Sequence, residues 1–81
     1  MLRLRRLSGR DLIAIFERFG STRASQRGSH IKLVSTGSHG ERQVTTVPNH
    51  RELDPGTLPA IVRQASRFIP QDQLRPHFYS Q

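Results

Sequence analysis

Eighty-one residues, 33% of them apolar with four Phe, one Tyr and no Trp, allow one domain with a compact core, since so small a chain buries only about 60–65% of its extended surface. Thirteen Lys and Arg (only Lys32 is lysine) against six Asp and Glu give a net charge of +7. This balance suits nucleic acid or an acidic protein partner, because the planar guanidinium matches phosphate oxygens and each neutralised phosphate releases counterions.

The chain has no cysteine, which excludes a disulfide framework or thiolate metal site and fits a reducing compartment. No run approaches the ~20 apolar residues of a membrane span. Residues 1–7, Met-Leu-Arg-Leu-Arg-Arg-Leu, are basic, and no apolar stretch follows them, so they are expected to form a mobile N-terminal tail rather than a signal peptide. A cytoplasmic location is the default expectation.

Ser8-Gly9-Arg10-Asp11 has the form of a helix start, with Ser8 as N-cap and an acidic residue three positions on. Leu12, Phe16 and Phe19, flanked by Ile13 and Ile15, recur at helical spacing, and Gly20 supplies the stop. The pattern predicts an amphipathic helix of about three turns.

From Ser21 to Val47 the period changes. Ser21–Gln26 is polar and weakly strand-like, as an edge strand is. A tight turn at Arg27–Ser29 leads into a strand over His30–Ser35. Thr36-Gly37-Ser38-His39-Gly40 is a glycine-rich loop, and the β-branched run Arg42–Val47 ends at Pro48. Three antiparallel strands in a meander are the economical arrangement. Side chains alternate across a sheet, so Ile31 and Leu33 share one face and His30 and Lys32 the other.

Asp54-Pro55-Gly56-Thr57 predicts a second helix, with Asp54 as N-cap and Pro55 at the first helical position. Leu58, Ile61, Val62 and Ala65 form its apolar stripe, and Pro59 in the first turn is tolerated. Phe68-Ile69 is expected to dock on the core, and Pro70–Leu74 to add one helical turn. Residues 75–81 are expected to fray into a C-terminal tail. The fold class is therefore α+β, in the order helix, three strands, helix.

His30 is the strongest candidate for chemistry. It sits at the mouth of a turn on a rigid strand, flanked by Arg27 and Lys32. Histidine, with an unperturbed pKa of about 6.5, takes and gives protons near neutral pH. The bland alternative is a turn histidine that bonds its neighbours. His50, after the last strand, reads as a loop histidine, with a complementary acid as the alternative. His39 and His77 are expected to be solvated. A metal site from His30, His39 and His50 is disfavoured by their separation and by the lack of supporting partners. Ser29 lacks the Gly-x-Ser-x-Gly elbow of a nucleophile and is expected to bond the turn backbone. Free amides at the Asp54 helix start can bind phosphate, but Asp54 satisfies them and repels an anion. Phe16, Phe19 and Phe68 lie on apolar stripes and are expected in the core.

Several pieces in order resemble one family. They are Ser8-Gly9-Arg10-Asp11-Leu12-Ile13, Gln26-Arg27-Gly28-Ser29-His30, Val44-Thr45-Thr46-Val47-Pro48, His50, Glu52-Leu53, Asp54-Pro55-Gly56-Thr57-Leu58 and Ile61-Val62-Arg63-Gln64-Ala65. From about residue 8 to 74 the chain resembles the HicA-type toxins, small ribonucleases of bacterial toxin–antitoxin pairs. Family members often carry a second histidine or an aromatic just after the turn histidine; here Ile31 and Lys32 stand there, and the loop around His39 is longer than usual.

The resemblance implies a double-stranded-RNA-binding-domain-like α-β-β-β-α fold over residues 8–74, its three-stranded antiparallel sheet packed on two helices. It also implies mRNA cleavage without a cofactor, neutralisation by a HicB-type antitoxin, and His30 as the catalytic residue. The toxin is then expected as a monomer in isolation and a hetero-oligomer with its antitoxin, which would mask the open sheet face. RNA carries its own nucleophile, the ribose 2′-OH, so a base or acid at His30 with cations at the phosphate suffices, with no metal. Arg27, Lys32 and Arg23 would hold the phosphate, with Ser29 beside them, and Gly28 would let the backbone approach or take positive φ. The rivals are a non-catalytic RNA-binding module or inactive relic of the same fold, and a protein-interaction partner whose arginines meet an acidic antitoxin.

Overall fold

A computed structural model describes residues 3–37 and 39–80. The first helix, α1, spans Gly9–Arg18. Its start is set by a reciprocal cap: the Asp11 backbone N–H donates to Ser8 Oγ (3.1 Å) and the Ser8 N–H donates to Asp11 Oδ2 (2.9 Å). Two of the helix's orphan amide donors are thereby satisfied. Leu12, Ile13, Ile15 and Phe16 are buried. Phe19 caps the helix rather than extending it and is half-buried against the core, and Gly20 turns the chain away with φ 96°.

A three-stranded antiparallel sheet follows, in the order β2-β3-β4, with β2 at Thr22–Arg27, β3 at His30–Thr36 and β4 at Arg42–Pro48. As the alternation predicts, Ile31 and Leu33 on β3 are buried while His30 is exposed. Val47 and Thr45 of β4 are buried on the same side. Every residue of β2 is exposed, which fits an edge strand.

The second helix, α2, spans Thr57–Ala65, two residues later than the sequence suggests. Asp54 is not its side-chain cap. Instead Pro55 and Gly56 form a turn closed by the Thr57 N–H donating to the Asp54 carbonyl (2.9 Å), a geometry that Pro favours at the second turn position. Pro59 falls in the first turn of α2, where its missing N–H has no intrahelical partner to lose. Leu58, Ile61 and Ala65 are buried on the core side, and Ile69 follows them. The α+β class and the α-β-β-β-α order of the resemblance stand, with α1 and α2 both against β4.

The chain ends differ from expectation. A third helix, α3, covers Gln71–Phe78 with Pro76 inside it, although a proline there removes a backbone donor and crowds the carbonyl four residues before. Burial overrides the local preference. Leu74 and Phe78, one turn apart, are 1% and 0% exposed, and the Phe78 ring lies 5.9 Å from that of Phe16. Beyond α3, β5 (Tyr79–Ser80) pairs antiparallel with β1 (Arg3–Leu4). The Arg5 N–H donates to the Phe78 carbonyl (2.8 Å) and the Arg5 guanidinium to the His77 carbonyl (3.1 Å). The segments read as mobile or frayed are thus tied to each other and to the core over residues 3–5 and 77–80, because Leu4, Phe78 and Tyr79 have apolar surface to bury; Met1, Leu2 and Gln81 lie outside the described residues. His77 is not simply solvated either: its ring stands edge-on to Phe19 at 5.2 Å.

Among the described residues, no buried side-chain nitrogen or oxygen lacks a hydrogen-bond partner. No helix among them is long and apolar enough to cross a membrane.

Candidate active site

The turn between β2 and β3 consists of Gly28 and Ser29, flanked by the cross-strand pair Arg27 and His30. Gly28 has φ 59°, and no other residue type among those described has positive φ, so the turn is of the type II′ kind, with glycine required at its first central position. Such a turn follows the twist of the strands and holds Arg27 opposite His30, with Cβ atoms about 4.5–5.5 Å apart. Lys32 lies two residues on, about 6.6 Å along the same face. It is half-buried and pairs in register with Ser25 and Thr46.

That face also carries Arg42, opposite Thr36 at its far end. Sequence reasoning left Arg42 out because only the strand register shows which side it joins. The reverse holds for Arg23. A bulge at Ala24 breaks the pairing between Arg23 and Ser25, so Arg23 lies opposite Leu33, on the face that meets the helices. A bulge inserts one residue and shifts the alternation by one, which moves every side chain beyond it to the other side. The Arg23 Nε lies 3.8 Å from Glu17 Oε2 of α1, with both side chains about half-exposed. Arg23 is therefore not gathered with His30.

His50 is. Its Nε2 lies 2.9 Å from Ser29 Oγ, and its ring centroid is 6.5 Å from that of His30, the planes inclined at 69°. Ser29, expected to bond the turn backbone, holds this imidazole instead, and its carbonyl accepts from the Asn49 N–H (2.6 Å). The segment after β4 is fastened from the other side too, where the His50 carbonyl accepts from the Gly9 N–H at the start of α1 (2.9 Å). A Cβ on Gly9 would overlap the Pro48 carbonyl oxygen and lie 2.7 Å from the Asn49 Cα. Only glycine lets the helix start come this close. The Ser-Gly-x-Asp opening of α1 thus positions a histidine 41 residues away in the chain.

The arrangement joins two exposed imidazoles, a serine hydroxyl bonded to one of them, and the cations of Arg27 and Lys32 beside His30 on one side of the sheet. Imidazoles transfer protons in both directions near neutrality, and the guanidinium and ammonium groups favour an anionic substrate. Gly28 has open space where a side chain would stand. His39 lies apart in the loop after β3, its backbone N–H donating to Glu41 Oε2 (3.0 Å). Among the described residues, no group of three or more His, Cys, Asp or Glu is placed to hold a metal ion.

Comparison with known proteins gives a family match. A family model described as the HicA toxin of bacterial toxin-antitoxin matches residues 9–66, which runs from the helix start that anchors His50 to the end of α2. No curated protein and no solved structure matches.

Proposed function

This chain belongs to the HicA toxin family, and on that premise we propose that it is the toxin of a toxin–antitoxin pair, an endoribonuclease that cleaves mRNA in the cytoplasm with His30 as its catalytic base. The observation that carries the reading is the exposed His30 on a rigid strand, directly across from Arg27 and on the same face as Lys32. RNA brings the 2′-hydroxyl, His30 removes its proton, and the resulting oxygen attacks the adjacent phosphorus. Arg27 and Lys32 offset charge that builds on the phosphate oxygens. The products are a 2′,3′-cyclic phosphate and a 5′-hydroxyl, and the reaction calls for no metal.

A HicB-type antitoxin, in this reading, covers the face that bears His30 and so blocks RNA, giving a hetero-oligomer from a toxin that is monomeric alone. The net charge of +7 suits an acidic covering surface as well as RNA.

The test is incubation of the purified protein with RNA in EDTA, followed by analysis of the product ends. Cleavage to cyclic phosphate and 5′-hydroxyl ends supports the proposal. Salt-dependent binding without cleavage identifies an RNA-binding module instead, and the absence of salt-dependent affinity points to a protein-interaction partner.

The faces of the sheet make a further expectation. Lys32→Ala weakens RNA binding across sequences and lowers the salt slope by about one, whereas Arg23→Ala, on the helix side, changes the slope much less. The Arg23–Glu17 pair is exposed and screened, so its loss costs at most about 1 kcal/mol of stability. Filter binding over a salt series checks both, and equal slopes for the two variants would count against the assignment of faces.

A further inference from the structure

We infer that His50 is the second catalytic residue of this site, the acid that protonates the leaving 5′-oxygen. The inference rests on the ribonuclease reading above. Three independent contacts place His50. Ser29 Oγ lies 2.9 Å from its Nε2, the Gly9 N–H donates to its carbonyl, and the neighbouring Asn49 N–H donates to the Ser29 carbonyl. A solvated loop histidine needs none of them. The two imidazoles, 6.5 Å apart by centroid and steeply inclined, leave room for a phosphate whose attacking and leaving oxygens each come within hydrogen-bond reach of one ring, about 2.6–3.2 Å.

The division of labour follows from Ser29. A hydroxyl both donates and accepts, so Ser29 Oγ can take the Nε2–H of a charged His50, leaving Nδ1–H as the proton to be given. Ser29 belongs to the same two-residue turn that presents His30. One rigid element therefore sets the spacing of base and acid. The step balances: the 2′-oxygen forms a bond to phosphorus as the phosphorus–O5′ bond breaks, the 2′-hydroxyl proton passes to His30, and the His50 proton passes to O5′. Ser29 is a positioning residue, since it touches the ring and not the substrate.

The experiment replaces the leaving oxygen by sulfur. A 5′-bridging phosphorothiolate expels a thiolate, whose conjugate acid ionises near pH 8–9, and so needs no proton from the enzyme. His50→Ala and His50→Gln are expected to cleave ordinary RNA about 10²-fold or more slowly than the wild type, yet to cleave the sulfur substrate within about threefold of it. His30→Ala is expected to be impaired on both substrates. Gln keeps a donor for Ser29 but cannot relay a proton, so it separates chemistry from packing, and thermal melting of each variant reports the fold.

Ordinary RNA cleaved at the wild-type rate by the His50 variants would overturn the inference. So would an equal defect on both substrates, a rescue of His30→Ala instead, or the loss of a melting transition in both His50 variants. Cleavage of neither substrate by the wild type would overturn the ribonuclease reading itself, and the acid assignment with it.

Discussion

His30→Ala is expected to reduce RNA cleavage by about 10²–10⁴-fold, the range that a positioned acid–base group contributes, while RNA affinity stays near that of the wild type. The two effects separate because the cations of the face, Arg27, Lys32 and Arg42, are left in place. The His30 ring is exposed, so its removal leaves no cavity, and stability should move by no more than about 0.5 kcal/mol. Single-turnover cleavage, filter binding and a melting curve on the same preparation check the three parts. Cleavage undiminished, or binding lost in step with cleavage, would remove His30 from the proton-transfer role.

Phe78→Ala is expected to be the most damaging change to the fold among residues near the chain ends, costing about 3–5 kcal/mol. The ring is 0% exposed and packs against Phe16. Total stability for a domain of this length is about 4–12 kcal/mol at 0.05–0.15 kcal/mol per residue, so the variant loses a large share of it. A chain cut after Leu74 loses the same ring together with the β1–β5 pairing, and should melt at least as early. Chemical denaturation with a single transition measures both. A melting midpoint unchanged by the cut would mean that residues 75–81 behave as the loose tail that their sequence suggests.

These two expectations bear on different parts of the molecule. The first concerns a hairpin whose proposed chemistry depends on exposure, the second a core closed by the last helix. The site lies far along the chain from Phe78, yet α1 connects them. Phe16 of α1 packs on Phe78, and Gly9 at the start of the same helix holds the His50 segment. Loss of the core contact is therefore expected to loosen the second imidazole before it disturbs the first, which stands on the hairpin's own hydrogen bonds.

Much of the site was legible in advance because it is local. The Ser8–Asp11 cap acts over three residues, the buried stripe of α1 repeats every turn, and the alternation of β3 has a period of two; each of these signals lies within a few neighbours. The same is true of the turn: Gly28 and Ser29 between two strands leave His30 at the first position of β3, facing out while Ile31 faces in. The start of α2 was misplaced by two residues because Asp54-Pro55 satisfies the rules for a helix cap and for a turn equally well. The turn won through the Asp54 carbonyl.

By itself, then, the sequence determined the class of fold, the outward histidine and the cationic surface around it, all from patterns that a short stretch of chain satisfies alone. Tertiary structure decided what depends on distant partners. It brought His50 to Ser29 across 21 residues and Arg5 to His77 across 72, and it turned Arg23 away from the site through one unpaired residue at Ala24. It also carried a helix through Pro76, because burying Phe78 outweighs a lost backbone hydrogen bond. Loop closure and strand register are set by the whole core at once, and no local preference encodes them.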